Sequence, residues 1–152
     1  MKVFVINHYY LAFDVGGLLI KGGAINQKGE LATDVLSYYP SKSRADRDEI
    51  LDHFVNVIGS QITSIMDRQF VIDGIAFAFP GPFDYEKGIC LIKGINKFDS
   101  LYGVNLKFEL KKRLKRQKLF VNWASPDLEI FFENNVSLFA LGEWNLRKHK
   151  GF

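Results

Sequence analysis

Residues 71–79 read Val-Ile-Asp-Gly-Ile-Ala-Phe-Ala-Phe and stop at Pro80-Gly81-Pro82. A nearly continuous apolar run, broken only by Asp73-Gly74, suits a strand buried on both faces of a sheet. Such a strand needs partners beside it and covering layers above and below, which points to a layered α/β arrangement.

The segments around it supply strands and helices in that order. Tyr10 to Phe13 is apolar and runs into Asp14-Val15-Gly16-Gly17. Leu18 to Ile25 follows, with a turn at Asn26-Gln27-Lys28-Gly29, and Leu31 to Tyr39 closes at Pro40. Three extended stretches joined by short turns predict an antiparallel meander. Ile50, Phe54, Ile58, Ile62 and Met66 then recur every four residues, flanked by Leu51, Val55 and Ile65. That period predicts a helix, and Ser43 followed by Asp46 resembles a helix-start box. Beyond Pro82 the sequence predicts a short hairpin over 83–92, a loop over 93–102, a basic helix, a short strand at 119–121, an extended stretch at 128–132 and a last helix over 135–147. The expected fold is α/β, with a mixed five-stranded sheet flanked by helices.

Composition removes several classes. The chain has 152 residues, 47% hydrophobic and 24% charged, with 14 Phe, which suits one domain or lobe with an aromatic core. No apolar run approaches the ~20 residues of a membrane-spanning helix. The start of the chain lacks a secretory apolar region and cleavage site, so the expected location is cytoplasmic. Cys90 is the single cysteine. It reads as a small buried apolar residue, since one Cys can form neither an internal disulfide nor a structural zinc site. His8, His53 and His149 have no metal-ligand spacing and read as surface or packing residues. The net charge of +3 is concentrated in Lys107, Lys111, Lys112, Arg113, Lys115, Arg116 and Lys118. Leu106, Leu110 and Leu114 thread the same segment, so it reads as an amphipathic helix with a solvated basic face. No nucleic-acid motif and no aromatic stacking set accompany it, so a nucleic-acid partner is not expected.

Three motifs carry chemistry. Asp14-Val15-Gly16-Gly17 lies between two strands, where glycine permits a tight turn and close approach of backbone N–H groups to a phosphate. A carboxylate beside it can hold magnesium through water. By itself such a turn is more often only a hairpin turn. Phe79-Pro80-Gly81-Pro82 ends the buried strand, where α/β sheets place ligands; it reads equally well as a stiff strand terminator. Glu133-Asn134-Asn135 sits where a strand gives way to a helix. Its carboxamides either cap that helix or hydrogen-bond sugar hydroxyls.

In order and spacing, Asp14-Val15-Gly16-Gly17, Gly74-Ile75-Ala76-Phe77-Ala78-Phe79-Pro80-Gly81-Pro82 and Glu133-Asn134-Asn135 before Ala140-Leu141-Gly142-Glu143 resemble the ROK (repressor, open reading frame, kinase) family. The resemblance covers nearly the whole chain from Tyr10. It implies one lobe of an actin- and hexokinase-like (ribonuclease H-like) fold, with the active site in a cleft between two lobes. It also implies phosphorylation of a sugar hydroxyl, commonly on a hexose, by ATP with magnesium. Carried over by motif, Asp14, Gly16 and Gly17 face the ATP phosphates, with Lys21 at a commonly basic position. Pro80 and Gly81 shape the sugar pocket, Asn134 bonds a sugar hydroxyl, and Asn96 is a further sugar contact. Asn135 occupies the place of the family's catalytic aspartate.

The departures matter as much. Asn135 cannot take the sugar proton at neutral pH, although it can hydrogen-bond the hydroxyl. Leu18 stands where the family has a threonine that reaches a phosphate. The resemblance further implies a C-terminal lobe carrying the remaining sugar contacts, most of the nucleotide pocket and often a zinc site. The expected organisation is an N-terminal extension (1–9), the lobe (10–147) and a truncated link (148–152). The expected function is therefore the sugar-side lobe of a ROK-type kinase, inactive alone. The alternative is a non-catalytic sugar-binding or regulatory module; a transcriptional regulator is not expected, because there is no room ahead of the first strand for a DNA-reading domain. An apolar patch around Trp144, Leu146 and Phe152 would favour self-association, so a homodimer is a further expectation.

Overall fold

The computed structural model describes residues 5–32, 36–65 and 69–134. Strands β1 (Asn7–Val15), β2 (Leu19–Asn26) and β3 (Ser37–Pro40) form the expected antiparallel meander. Helix α1 (Arg47–Thr63) crosses over to β4 (Phe70–Phe79), which lies parallel to β1. A small hairpin, β5 (Phe83–Asp84) and β6 (Ile89–Cys90), precedes a 3-10 turn at Asp99–Leu101, then helices α2 (Leu106–Leu114) and α3 (Lys118–Trp123). Strand β7 (Ala124–Asn134) adds in parallel to β4 and completes a five-stranded mixed sheet, β3-β2-β1-β4-β7.

Several local expectations are corrected. β1 begins at Asn7, inside the segment read as an extension. Among the described residues the third meander strand is regular over Ser37–Pro40, while Leu31 forms a lone bridge with Ile25. Helix α1 is capped by Asp46, whose side chain accepts from the N–H of Glu49. Ser43 is not part of that cap, because the chain turns at Lys42 (φ 55°) and sends the Ser43 hydroxyl elsewhere. Residues 119–121 are helical, with the N–H of Val121 bonded to the carbonyl of Gln117, and short apolar runs do not separate the two periods. The last helix, over 135–147, falls outside the described residues, as does Met66.

The expectation that β4 is buried on both faces is met in that none of its residues is exposed: the side chains toward α1 are buried, and on the other face Gly74 and Ala78 are buried and Ala76 is half-buried. Leu11, Phe13 and Val15 of β1, Ile75, Phe77 and Phe79 of β4, and Ile130 and Phe132 of β7 are buried on the face that meets α1. On the other face Tyr10, Asp14, Glu129 and Phe131 are exposed and Ala76 is half-buried. The interruption at Asp73-Gly74 turns out to be a bulge. The β1–β4 register shifts between Tyr9 and Tyr10, and Gly74 pairs with Tyr10. One extra residue flips the side-chain alternation, so that Phe70 and Ile72 stay on the buried face with Ile75 and Phe77. Gly74 lets the Tyr10 ring lie close over the strand, where a Cβ would stand 3.0 Å from it. His8 bridges to Asp73 across the bulge at 2.8 Å, and His53 bonds the Pro40 carbonyl.

The core is aromatic, as the phenylalanine count predicts. Phe13, Phe77 and Phe132 lie in register on three adjacent strands, with ring centroids 5.1 and 5.2 Å apart and near-parallel planes. Phe54 of α1 stands over Phe77, Phe79 and Phe98. Leu106, Leu110 and Leu114 are the buried stripe of α2, and Cys90 is fully buried. Part of the basic face is engaged in ion pairs: Arg113 meets Asp48, Asp52 and Glu109, and Lys111 meets Glu129 at 3.8 Å.

Candidate functional site

Because β1, β4 and β7 are parallel, their carboxyl ends share one edge of the sheet. Ligands in open α/β sheets bind outside that edge. Asp14 lies beside Ala78 and opposite Lys21, and Ala78 lies beside Glu133. One residue further along, Phe79 lies beside Asn134. The motifs at residues 14–17, 79–82 and 133–134 are therefore neighbours. Asp14 and Lys21 point to the exposed face, while Asn134 shares the α1 face with Phe132, two residues earlier.

The β1–β2 connection is a two-residue tip, Gly17-Leu18, closed by the Gly16 N–H bonded to the Leu19 carbonyl at 2.9 Å. A Cβ on Gly16 would stand 3.1 Å from that same oxygen. The Gly17 carbonyl accepts two hydroxyls, from Ser41 and Ser43, each at 2.7 Å, and both serines are buried. In a trans peptide the N–H points opposite to the C=O, so the Leu18 N–H is directed away from the serines. The tip is thus held rigidly with a backbone donor presented on its other side. Leu18 itself is 85% exposed.

The loop after β6 closes over this tip. The Asp99 carboxylate accepts from the N–H groups of Ile95 and Asn96, and the Phe98 N–H bonds the Ser43 carbonyl at 2.7 Å. Asn96 and Phe98 take left-handed conformations (φ 60° and 59°), and Phe98 is fully buried against Phe54 and Phe79. Lys97, between them, lays its stem against Gly17, where a Cβ would stand 2.8 Å from Lys97 Cδ. A cavity of about 430 Å³ lies here, lined by Gly17, Ser43, Lys42, Arg44 and Lys97 among others. The tip glycine leaves room for this lysine, and the cavity's lining is rich in cations.

At the end of β4, Pro80 and Gly81 follow Phe79, and the Gly81–Pro82 bond is cis. Tyr85, on the β5–β6 turn, donates its hydroxyl proton to the Phe79 carbonyl at 2.7 Å. The same hydroxyl accepts from Asn134 Nδ2 at 3.2 Å. Burial pushes the Tyr85 phenol above its ordinary value, against the opposing effect of the Asn134 hydrogen bond and with help from the Glu133 charge. Asn135 lies outside the described residues.

The structure thus brings together Asp14, Gly16, Gly17, Lys21, Pro80, Gly81 and Asn134 along one edge, with the Asn96 loop joined to the same edge through Lys97. Sequence reasoning missed Tyr85, Ser41, Ser43 and Lys97. Their partners are 6 to 49 residues distant for Tyr85 and 24 and 26 for the serines, and no local pattern marks them. Among the described residues no three His, Cys, Asp or Glu side chains gather as a metal site. A single carboxylate, Asp14, stands beside the glycine tip, which suits magnesium held partly by substrate phosphates and water.

No family model matches the sequence, and no curated protein matches it. Solved structures do. A glucokinase from Parabacteroides distasonis is 26% identical with a TM-score of 0.65, over 94% of this chain and 35% of that one. This chain has the fold of the ROK-family sugar kinases. A ROK family glucokinase from Streptomyces griseus, solved with glucose and AMPPNP, superposes with a TM-score of 0.61 at 18% identity, over 90% of this chain and 36% of that one. A ROK family transcriptional regulator, a homologue of the E. coli Mlc protein, superposes with a TM-score of 0.66 at 18% identity, over 90% of this chain and 30% of that one. The ROK-like chain therefore spans about a third of the length of the structures it matches, and its sheet is that of the actin-like ATPase fold. Kinases and a regulator share this fold, so function must be argued from the site.

Proposed function

We propose that this chain is the sugar-side lobe of an ATP-dependent sugar kinase, working on a hexose when a second lobe closes over it. The observation that carries the reading is the meeting of Asp14, Phe79-Pro80-Gly81 and Asn134 at the carboxyl edge of three parallel strands. Asn134 holds a sugar hydroxyl, and Pro80, Gly81 and Asn96 shape the pocket around it. Gly16 and Gly17 let the nucleotide phosphates approach the backbone, with Lys21 and Lys97 supplying positive charge. Asp14 would hold magnesium through water, and the ion would neutralise charge on the phosphates. In the reaction the bond from the terminal phosphorus to ADP breaks, a bond to the sugar oxygen forms, and the hydroxyl proton leaves.

By the family resemblance Asn135 corresponds in sequence to the residue that accepts that proton, and a carboxamide does not accept it. Positioned bases contribute ~10²–10⁴ in rate, so turnover falls by that order while binding, which rests on positioning and charge, survives. One lobe also leaves the site open to water. The second lobe comes from further residues or a partner chain, a homodimer remains part of the proposal, and the location is cytoplasmic. Among the described residues no helix is long and apolar enough to cross a membrane. The ion pairs of Arg113 and Lys111 support a reading without nucleic acid.

A non-catalytic sugar-binding or regulatory module is the second reading, favoured by the Asn134-Asn135 pair and by the fold shared with a regulator. Calorimetric titration with a panel of hexoses, then with Mg-ATP, tests both. Saturable sugar binding without ADP release supports the lobe reading. Absence of sugar binding rejects both, and measurable hexose-dependent ADP release from this chain alone rejects its inactivity.

A further inference from the structure

We propose that the cavity beside the β1–β2 tip is a phosphate site in its own right, in which the side chains of Lys97, Arg44 and Lys42 hold the oxyanion. The proposal goes beyond the kinase reading and does not need it, because this lobe's own side chains make the site without a sugar, a metal or a second lobe. The cavity of about 430 Å³ is lined by Gly17, Lys42, Ser43, Arg44, Glu49 and Lys97 among others. Three cations therefore meet one carboxylate there. Glu49 reaches Lys42 at 3.8 Å, and both side chains are exposed, so that pair is weak. The side chains of Arg44 and Lys97 make no ion pair or hydrogen bond among the described residues. Cations gathered without acceptors repel one another, and an oxyanion with several acceptor oxygens relieves that repulsion.

The backbone holds the cations in place. Among the described residues, Lys42, Asn96 and Phe98 are the non-glycine residues in the left-handed region, at φ 55°, 60° and 59°. All three belong to the two loops that meet at the cavity, and two of them flank Lys97. Such conformations are unfavourable for a residue with a side chain and persist where surrounding bonds enforce them, as in loops that hold ligands. Here the Asp99 carboxylate takes the N–H groups of Ile95 and Asn96, and the Phe98 N–H joins the two loops at the Ser43 carbonyl. Two oxygens that would repel an anion are thereby occupied: the Ser43 carbonyl, and the Gly17 carbonyl, which accepts the Ser41 and Ser43 hydroxyls. Lys97 lies close over the tip, since a Cβ on Gly17 would stand 2.8 Å from its Cδ and 3.0 Å from its Nζ. The glycine is what lets the ammonium group settle there.

The test is calorimetry on the chain with inorganic phosphate, glucose 6-phosphate and ADP, each without magnesium. Lys97→Met and Arg44→Met should each weaken binding about ten-fold, the worth of one charge-assisted hydrogen bond. Gly17→Ala should weaken it as well, by pushing Lys97 aside with the net charge unchanged, and Glu49→Gln should tighten it roughly three-fold. Lys28→Met, in the turn beyond the far end of β2, removes the same charge and should bind like wild type. Should Gly17→Ala fail to fold, Lys97→Met and Arg44→Met carry the test. Equal binding of the three ligands identifies free phosphate as sufficient, and tighter binding of glucose 6-phosphate or ADP identifies what carries the phosphate; both support the site. No saturable binding of any of the three overturns the proposal. So does binding that Lys97→Met and Arg44→Met leave unchanged, or a loss at Lys28→Met equal to theirs, which marks a diffuse effect of net charge. A chain that binds phosphate but no hexose refutes the sugar-lobe reading and leaves this site standing.

Discussion

Phe131 and Phe132 are adjacent in β7, yet Phe131 is 48% exposed and Phe132 2% exposed. Alanine at the two positions should give very different results. The Phe132 ring meets Phe77 at 5.2 Å, Phe83 at 5.1 Å and Phe79 at 6.3 Å. Its removal loses the transfer free energy of a buried ring and leaves a cavity among three rings that cannot collapse together. The expected cost is about 4 kcal/mol, a large share of the roughly 5–15 kcal/mol that holds a domain of this size. Phe131→Ala should cost less than about 1 kcal/mol, because half of its ring is already in water. Urea unfolding of each variant reads the difference as a shift in midpoint at constant slope. Should Phe132→Ala fail to fold, Phe132→Leu, with a cost of about 1.5 kcal/mol, carries the comparison. Equal costs, or a larger one at Phe131, would refute the register of β7. A slip of one residue turns every side chain to the other face. It would also turn Asn134 away from Tyr85, so this stability experiment examines that hydrogen bond as well.

Arg113→Met should destabilise by about 1 kcal/mol, since one guanidinium joins Asp48 and Asp52 of α1 to α2, and Arg113→Lys should recover only part of it; urea midpoints identical to wild type for both would remove the link. Burial pushes Cys90 and Tyr85 above their ordinary values of 9.0 and 10.0, so the unfolded chain releases these protons more readily than the folded one. Their contribution to stability is whole below pH 9.0 for Cys90 and pH 10.0 for Tyr85, and it is lost as pH rises past those values. Cys90→Ala and Tyr85→Phe should each flatten the alkaline fall in a urea-against-pH series, and an unchanged slope in both would count against the burial of these groups. If the proposed kinase reading holds, Asn135→Asp, in this lobe joined to a nucleotide-side lobe, should raise turnover by ~10²–10⁴ in a coupled ADP assay; no rise would refute the reading of Asn135 as the base position.

The sequence by itself determined the elements that bury a repeating apolar pattern. Helix α1 was legible because Ile50, Phe54, Ile58 and Ile62 recur at the helical period and are all buried. The leucine stripe of α2, the strand at 70–79 and the glycine tip of the β1–β2 hairpin were legible for like reasons, because period, run and turn chemistry are local. Tertiary structure decided what local pattern cannot encode. Only the register of β1 against β4 makes Asp73-Gly74 a bulge that keeps the core on one face. Only the closeness of two loops gives the Ser43 hydroxyl to the Gly17 carbonyl rather than to the start of α1. Tyr85 likewise bonds both the Phe79 carbonyl and Asn134 only because β4 and β7 lie side by side. Hydrogen bonds between residues far apart in the chain depend on directions set by the packed fold, and a linear sequence carries no period that marks them.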